Sequence, residues 1–194
     1  MPKLIGFKKL NIAVFISGTG SNLKNLIAHS LKKNSRYKVS LVITNNSKAK
    51  GIRFAKNYVI KKKIINYSLI NIAEKIILLE LKKNKIDLIC LAGFMKILSK
   101  NFIKKFKGII LNIHPSLLPK FKGLNTHAKA IKNKEKYSGC TVHMVTSKLD
   151  SGKIIIQKKV KILKNDDSKK LAKRVLKQEH VLYPKAIKKV LSNL

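Results

Sequence analysis

Short apolar runs alternate with segments of helical period along this chain, and that alternation limits its fold more than any other feature. Residues 11–16, 86–92 and 108–114 are apolar runs of strand length, while other segments repeat apolar residues at helical spacing. Strands that alternate with helices form a mostly parallel sheet joined by right-handed crossovers. The sequence therefore predicts an α/β fold: a mostly parallel twisted sheet with helices on both faces.

The predicted elements follow one another without a repeat or a linker. The predicted strands are residues 11–16, 38–44, 64–67, 86–92, 108–114, 141–146 and 153–160. The predicted helices are the apolar repeat from Leu23 to Leu31, residues 48–59, the repeat of Ile72, Ile76, Ile77 and Leu79, residues 99–106, and residues 168–191 with a bend at Pro184. We expect one domain, residues 1–194, long enough to bury a single core.

The formal net charge of +36 invites a nucleic-acid or membrane-surface function. Nearly all of this charge is lysine spread along the chain, and Arg36, Arg53 and Arg174 are the only arginines. Recognition of bases and phosphates favours the arginine fork. Because Lys, Ile and Asn all have A/T-rich codons, we interpret the charge as compositional drift on a solvated surface. Weak, salt-sensitive binding to polyanions is the expected side effect.

Cysteine content and hydropathy indicate where such a chain works. Cys90 and Cys140 lie in apolar runs without the spacing of a metal site or a disulfide framework, so we interpret them as core residues in a reducing compartment. No apolar stretch is long enough to span a bilayer, and the N-terminus has no signal-peptide core. We expect a cytoplasmic protein with no metal, no membrane partner and no specific nucleic-acid partner.

The stretch SGTGSNL follows the first predicted strand, where ligands of such sheets bind. Gly18 and Gly20 permit a tight turn, and the helix that follows offers free N–H groups to an anion. The third glycine of a dinucleotide fingerprint is missing, and no acidic residue follows the second strand. The loop therefore favours a phosphate monoester over NAD or ATP; the alternative is a plain glycine turn.

The stretch LNIHPSLLPK places Asn112 and His114 on one face of a predicted strand that ends at Pro115. An amide can stabilise an oxyanion, and an imidazole can move a proton near neutral pH. With no Ser or Cys nucleophile nearby, the pair suggests direct attack by a substrate on a carbonyl; the alternative is a structural histidine.

Of the eight acidic residues, Asp150 lies in a turn between two apolar strands. There it either favours the charged form of the imidazole or closes an Asx-turn. We interpret the remaining histidines as structural, although His143 alternates within a strand and can face the same pocket as Asp150. The remaining histidines are His29, His127, His143 and His180.

Together these segments resemble the folate-dependent phosphoribosylglycinamide formyltransferases of purine synthesis. The collinear matches are ISGTGSNL, LAGFMKILS, LNIHPSLLPKFKGLNTHAKAI, TVHMVTSKLDSGKIIIQ and RVLKQEHVLYP. NIHPSLLP is typical of the wider formyltransferase family, and SGTGSNL of its glycinamide branch. The resemblance implies a Rossmann-like formyltransferase fold with a phosphate-binding half, about residues 10–100, and a catalytic and folate-binding half, about residues 86–194.

The resemblance also implies the reaction and its residues. The amine of phosphoribosylglycinamide would attack the formyl carbon of 10-formyltetrahydrofolate, the co-substrate. Asn112 would stabilise the oxyanion, His114 would assist proton movement, and Asp150 would raise the pKa of His114 and help order a water. The implied binding residues are Gly20, Ser21 and Asn22 for the phosphate, Glu179 for the glycinamide, and Met95, Lys96, Ile97, Leu98 and Asn112 for the folate. Small-molecule substrates, and a monomer or a homodimer, are expected.

The sequence departs from the family pattern mainly on the folate side. Lys96 stands where the family often has an arginine, and Ile70 or a neighbour replaces the arginine that the family supplies for the folate tail. Asn125 stands where the family has a histidine, and DSGK replaces DGGP. These changes bear on affinity for the folate tail more than on the chemistry.

Three alternatives remain open at this level. Methionyl-tRNA formyltransferase shares HPSLLP but carries an additional C-terminal domain, for which 194 residues leave no room. Formyltetrahydrofolate hydrolase has an extra N-terminal regulatory domain. A basic nucleic-acid-binding module should show arginine or aromatic clusters, whereas this chain has no Trp and scattered Phe and Tyr.

Overall fold

The computed structural model describes residues 9–192, in which strands and helices alternate up to the last third of the chain. The strands are β1 (Leu10–Ile16), β2 (Tyr37–Thr44), β3 (Lys61–Ile64), β4 (Leu88–Leu91), β5 (Ile109–His114), β6 (Tyr137–Met144) and β7 (Ile154–Lys161). The helices are α1 (Ser21–Ser30), α2 (Ile52–Asn57), α3 (Ile70–Lys83), α4 (Lys100–Lys105), α5 (Thr126–Lys132) and α6 (Ser168–Leu191).

The strands form one seven-stranded sheet in the order β3-β2-β1-β4-β5-β6-β7. The pairs from β3 through β5 are parallel, whereas β6 runs antiparallel to both β5 and β7. The predicted mostly parallel α/β sheet is thereby confirmed. Since parallel neighbours end at the same edge, the carboxyl ends of β1, β4 and β5 meet where ligands of such sheets bind.

Helices cover both faces of the sheet, and the alternation along β1 shows how. Val14 belongs to the core that includes Val175 of α6, whereas the next residue, Phe15, belongs to the core that includes Ile77 of α3. All four side chains are fully buried. Burial of an aliphatic or phenyl side chain of this size stabilises the fold by about 1.5–3 kcal/mol. Cys90 and Cys140 are buried and unpaired, as expected.

Two predicted elements near the sheet edge are wrong in position. The third strand is Lys61–Ile64 rather than residues 64–67, and its burial is low because it is an edge strand, where lysines are tolerated. The apolar residues that suggested 64–67, Ile65 and Tyr67, are buried just beyond that strand. The helix predicted for residues 48–59 is only Ile52–Asn57, since the residues before it form turns.

Helix α3 is confirmed, but its apolar repeat does not mark its buried face. Ile72, Ile76 and Leu79 are 54%, 36% and 68% exposed, and of the four residues that predicted the helix only Ile77 is buried. The face that packs on the sheet instead contains Ala73, Glu74, Ile77 and Leu81.

The closing helix α6 has the predicted bounds, with Pro184 inside it, while the bend at Pro184 stays a prediction. Over residues 9–192, none of the helices combines the length and the apolar character needed to cross a membrane.

Candidate active site

A cleft of about 800 Å³ opens at the carboxyl ends of β1, β4 and β5. It brings together every site residue predicted from the sequence. These are Gly20, Ser21, Asn22, Met95, Lys96, Ile97, Leu98, Asn112, His114, Asp150 and Glu179.

Strand β5 delivers Asn112 and His114 to the cleft as the alternation predicts. Leu111 and Ile113 belong to the core on the α6 face, so the two polar residues between and beyond them point the other way. His114 is only 5% exposed, at the point where the parallel pairing with β4 has already ended. The strand therefore holds an amide and an imidazole on one rigid wall of the cleft.

Asp150 joins this pair from the turn between β6 and β7. Its Oδ2 lies 3.4 Å from Nδ1 of His114 and accepts a hydrogen bond of 2.9 Å from the backbone N–H of Gly123. Its Oδ1 lies 3.5 Å from Nδ2 of Asn112. Asp150 has a φ of 45°, a left-handed conformation in which Asp is one of the few tolerated side chains. The carboxylate is thus fixed within reach of both β5 side chains.

The surroundings of Asp150 keep it ionised. Burial by itself would raise its pKa, but the imidazole of His143, the backbone N–H of Gly123 and the charge of His114 outweigh burial. The net pKa lies below the ordinary value of 3.8. A carboxylate therefore faces His114 at physiological pH.

Both ring nitrogens of His114 face acceptors. Nε2 lies 2.9 Å from the backbone carbonyl oxygen of Phe121, which can only accept, so Nε2 carries a proton. Nδ1 faces the Asp150 carboxylate, and this contact is attractive when Nδ1 is protonated as well. The pair can therefore hold an imidazolium in place and release a proton from it.

His143 is the functional candidate that the sequence interpretation treated as structural. It pairs directly with Asn112 across the antiparallel β5–β6 ladder, and its Nε2 lies 3.1 Å from Nδ2 of Asn112. Its Nδ1 lies 2.8 Å from the carbonyl oxygen of Met144 and therefore carries a proton. In the neutral ring Nε2 accepts from Asn112; in the protonated ring it can donate toward Oδ1 of Asp150, 3.6 Å away.

His127 also lies in the cleft, on the first turn of α5. Its pKa is lowered, first by burial and then by the charge of His114. Its buried Nδ1 has no hydrogen-bond partner among residues 9–192. The strand alternation gives a signal for His143, whereas nothing in the sequence distinguishes His127 from a structural residue.

The glycine loop places the start of α1 in the same cleft. Gly20 has a φ of 72°, and a Cβ on it would lie 2.6 Å from the Cα of Gly51, so only glycine fits there. Gly20 is the N-cap of α1 and provides no side-chain cap, which leaves N–H groups of the first turn free for an anion.

Asn22 and Glu179 connect this loop to α6. Nδ2 of Asn22 donates a 2.7 Å hydrogen bond to Oε2 of Glu179, and Oδ1 of Asn22 is buried without a partner in the described part of the chain. Burial raises the pKa of Glu179, and the hydrogen bond from Asn22 only partly opposes it. A buried polar pair with an unmet acceptor thus lines the cleft beside the glycine loop.

Residues 93–98, hereafter the 93–98 strip, form the irregular wall after β4. Met95 and Ile97 are 60% and 69% exposed there, and Leu124 and Leu149 across the cleft are 68% and 53% exposed. Large apolar side chains left exposed around a cleft indicate a ligand with an apolar body.

Two of the departures from the family pattern, Lys96 and Asn125, line the cleft, whereas Ile70 is not among its lining residues. Lys96 is exposed beside the cleft. Ile70 begins α3 and is 40% exposed, and Asn125 is the N-cap of α5 with a φ of 59°. Among residues 9–192 no group of three or more His, Cys, Asp and Glu is arranged to hold a metal ion.

Comparison with known proteins finds matches over most of the chain. The formyl transferase family matches residues 10–187. Phosphoribosylglycinamide formyltransferase of Escherichia coli is 38% identical over 181 residues, which cover 92% of this chain and 85% of that protein. The crystal structure of phosphoribosylglycinamide formyltransferase from Brucella melitensis is 41% identical with a TM-score of 0.89, over 94% of this chain and 96% of that chain.

A second type of relative is much longer. The human trifunctional purine biosynthetic protein adenosine-3 is 42% identical over 188 residues, which cover 95% of this chain but only 19% of that protein. The chain thus spans about a fifth of the trifunctional relative and most of the bacterial one. From the family match, the bacterial relative and the shared fold, the chain belongs to the formyl transferase family, in its phosphoribosylglycinamide formyltransferase branch.

Proposed function

We propose that this chain transfers the formyl group of 10-formyltetrahydrofolate to the amine of phosphoribosylglycinamide, a step of purine biosynthesis. The observation that carries the proposal is the convergence of Asn112, His114 and Asp150 in one cleft, which the glycine loop and exposed apolar side chains also line. The loop suits the phosphate of one substrate and the apolar side chains suit the ring system of the other, and the trio supplies the groups that the reaction needs.

The chemistry needs no protein nucleophile. The substrate amine attacks the formyl carbon, a new C–N bond forms, and the carbonyl oxygen becomes an oxyanion. The amide of Asn112 turns away from Asp150 and His143 and donates an N–H to that oxyanion. Collapse of the tetrahedral species breaks the bond to the folate nitrogen, and formylated glycinamide and tetrahydrofolate remain.

His114 and Asp150 manage the proton that must move from the attacking amine to the leaving nitrogen. The imidazolium of His114 stabilises the negative charge and assists the proton transfer, and Asp150 keeps the ring oriented. Asp150 also has oxygens suited to ordering a water that relays the proton. That water accepts the proton that the attacking amine loses and gives one to the folate nitrogen as its bond to the formyl carbon breaks, so the reaction gains and loses no net proton.

The binding residues divide between the substrates. Gly20, Ser21 and Asn22 receive the phosphate at the α1 N-terminus, and Glu179 binds the glycinamide beside Asn22. Met95, Lys96, Ile97 and Leu98 line the pterin slot together with Asn112. The chain acts as one domain whose phosphate-binding half and folate-binding half share the sheet.

We also propose the setting in which the enzyme works. Two buried, unpaired cysteines support a reducing compartment, and we place the enzyme in the cytoplasm as a monomer or a homodimer. Its specific partners are small molecules rather than nucleic acid or membrane. Lysine without arginine clusters supports this view, since polyanions would then bind only weakly.

The test is formyl transfer from 10-formyltetrahydrofolate by the purified protein, with phosphoribosylglycinamide, methionyl-tRNA and water as competing acceptors. Transfer to phosphoribosylglycinamide alone is expected. Formylation of the tRNA, or hydrolysis of the folate, would assign another activity of the family. No reaction with any acceptor would contradict the proposal.

A further inference from the structure

The 93–98 strip has no secondary structure of its own, so its shape must come from contacts at its two ends. At its start, Gly93 accepts a 3.0 Å backbone hydrogen bond from Ser17, and the N–H of Met95 donates a 2.8 Å bond to Oγ of Ser17. At its finish, Ser99 caps α4 by accepting a 3.0 Å bond from the N–H of Phe102. The contacts that hold Ser99 therefore set the position of the C-terminal end of the strip.

Ser99 is held by Glu74 of α3, which lies outside the cleft. Oε1 of Glu74 accepts a 2.7 Å hydrogen bond from the backbone N–H of Ser99, and Oε2 accepts one from the Ser99 hydroxyl. Glu74 is only 4% exposed, and within residues 9–192 it forms no ion pair. Three hydrogen bonds, two from Ser99 and one from Tyr67, compensate for the burial of this side chain.

Glu74 also reaches the start of the strip through an aromatic contact. The Tyr67 hydroxyl donates a 3.5 Å hydrogen bond to Oε1 of Glu74, and the Tyr67 ring packs edge-on against Phe94 with centroids 5.7 Å apart. Phe94 in turn packs edge-on against Phe15 of β1, at 5.3 Å. Glu74 therefore holds the finish of the strip directly, and it reaches the start only through the ring of Tyr67, where Ser17 holds the backbone.

We propose that Glu74 is a positioning residue for the folate co-substrate. It touches neither substrate; it holds the backbone of the 93–98 strip at the spacing that the pterin requires. This inference rests on the proposed function, since it takes the strip as the folate-binding wall. A change at Glu74 should affect binding of the folate and leave binding of the phosphate unchanged, because the hydrogen bonds of Glu74 within residues 9–192 go to Ser99 and Tyr67.

The experiment compares Glu74→Gln with Glu80→Gln, a matched change on the same helix. Glutamine has one acceptor oxygen where glutamate has two, so either the N–H or the hydroxyl of Ser99 loses its acceptor. Glu80 binds Lys63 and Asn84 instead and does not line the cleft. We expect Glu74→Gln to raise the KM for 10-formyltetrahydrofolate by about tenfold, with kcat and the KM for phosphoribosylglycinamide within about twofold of wild type. Glu80→Gln should leave all three values unchanged.

A second readout follows the strip itself. Amide hydrogen exchange over residues 94–99 should accelerate in Glu74→Gln and stay at the wild-type rate in Glu80→Gln. If Glu74→Gln does not fold, Ser99→Ala is compared with Ser99→Thr: Ala removes both the hydroxyl bond to Glu74 and the side-chain cap of α4 and keeps the backbone bond, whereas Thr keeps the hydroxyl, so only Ser99→Ala should raise the KM for the folate. A lower melting temperature with an unchanged KM for the folate would overturn the proposal, as would an equal rise in both KM values.

Binding of tetrahydrofolate, measured by calorimetry, distinguishes this inference from the proposed function. If the wild type binds tetrahydrofolate but formylates no glycinamide, the proposed reaction is wrong. The positioning role then stands if Glu74→Gln binds more weakly than Glu80→Gln. Equal affinity of the two variants, or no binding by the wild type, would overturn it.

Discussion

At the scale of single residues, Asp150 connects the site. Its two oxygens face His114, His143, Asn112 and the N–H of Gly123, so one carboxylate orients two imidazoles and an amide. The lowered pKa of Asp150 keeps it charged through the range in which histidines titrate. Replacement of Asp150 should therefore lower kcat, because the neighbouring imidazoles and amide lose their orientation, and should change the substrate KM values less.

The first prediction concerns the trio. His114→Ala should lower kcat by about 10²–10⁴-fold, because the proton transfer loses its group. Asn112→Ala should lower kcat by about 10²–10³-fold through the lost oxyanion donor, and Asp150→Asn should also lower it. Steady-state kinetics measure these losses, with His29→Ala on α1 as the matched control. Full activity in both His114→Ala and Asp150→Asn would show that the trio is wrong.

The second prediction concerns Glu179, whose raised pKa marks a cost of burial. A carboxyl with a pKa above its ordinary 4.5 destabilises the fold as pH rises through that value, because the unfolded chain ionises more easily. Glu179→Gln should therefore melt like wild type in acid and at a higher temperature near neutral pH, while its KM for phosphoribosylglycinamide rises. Thermal melts across pH measure this; a Gln variant that melts lower at neutral pH would contradict it.

At the scale of elements, the start of α6 illustrates how a helix is anchored in a chain with few acids. Asp167 caps the helix by accepting a 2.7 Å bond from the N–H of Lys170. Asp166 forms a two-pronged ion pair with Arg174 and accepts from the N–H of Leu163. Because α6 carries Glu179 into the cleft, this anchor supports the site from a distance.

The third prediction tests that anchor. The hydrogen bonds from Arg174, together with the N–H of Leu163, outweigh desolvation and lower the pKa of Asp166 from 3.8 to about 2. A lowered pKa gives stability that is present above 3.8 and is lost as pH falls toward about 2. The melting temperature of Asp166→Asn should thus lie below wild type at neutral pH and converge with it in acid.

Calorimetry at several pH values checks this convergence, and the Arg174→Gln background serves as the control. Asp166→Asn should have a smaller effect there, because the partner of the carboxylate has been removed. A pH-independent difference between Asp166→Asn and wild type would argue against the ion pair as its cause.

At the scale of the whole molecule, the net charge of +36 dominates the electrostatics of the surface. Little of this charge lies in the cleft, since among residues 9–192 Lys96 and Lys148 are the only lysines that line it. The remaining lysines repel one another across the surface. Salt screens this repulsion, and at 0.1 M salt it is largely lost between charges more than about 10 Å apart.

The fourth prediction follows from that repulsion. The melting temperature should rise by several degrees between about 20 mM and about 500 mM NaCl, as screening relieves the folded state. Choline chloride at equal ionic strength should act alike, since screening does not depend on the cation. A melting temperature that does not change with salt would contradict the interpretation.

The sequence by itself determined the alternation of strands and helices, the common face of Asn112 and His114, and the turn at Gly20. Each depends on residues close in sequence, whose periodicity and backbone preference are local properties. The exposed face of α3 and the position of β3 were not determined in this way, since apolar residues mark burial only where another element covers them.

Only the tertiary structure decided which distant side chains meet. Asn112 and Asp150 are 38 positions apart, and Asn22 and Glu179 are 157 apart, so their contacts depend on strand register and loop path. The same holds for His143 opposite Asn112 and for Glu74 beneath Ser99, which no local pattern marks. Local sequence fixes which way a residue points, whereas the packing of whole elements fixes what it finds there.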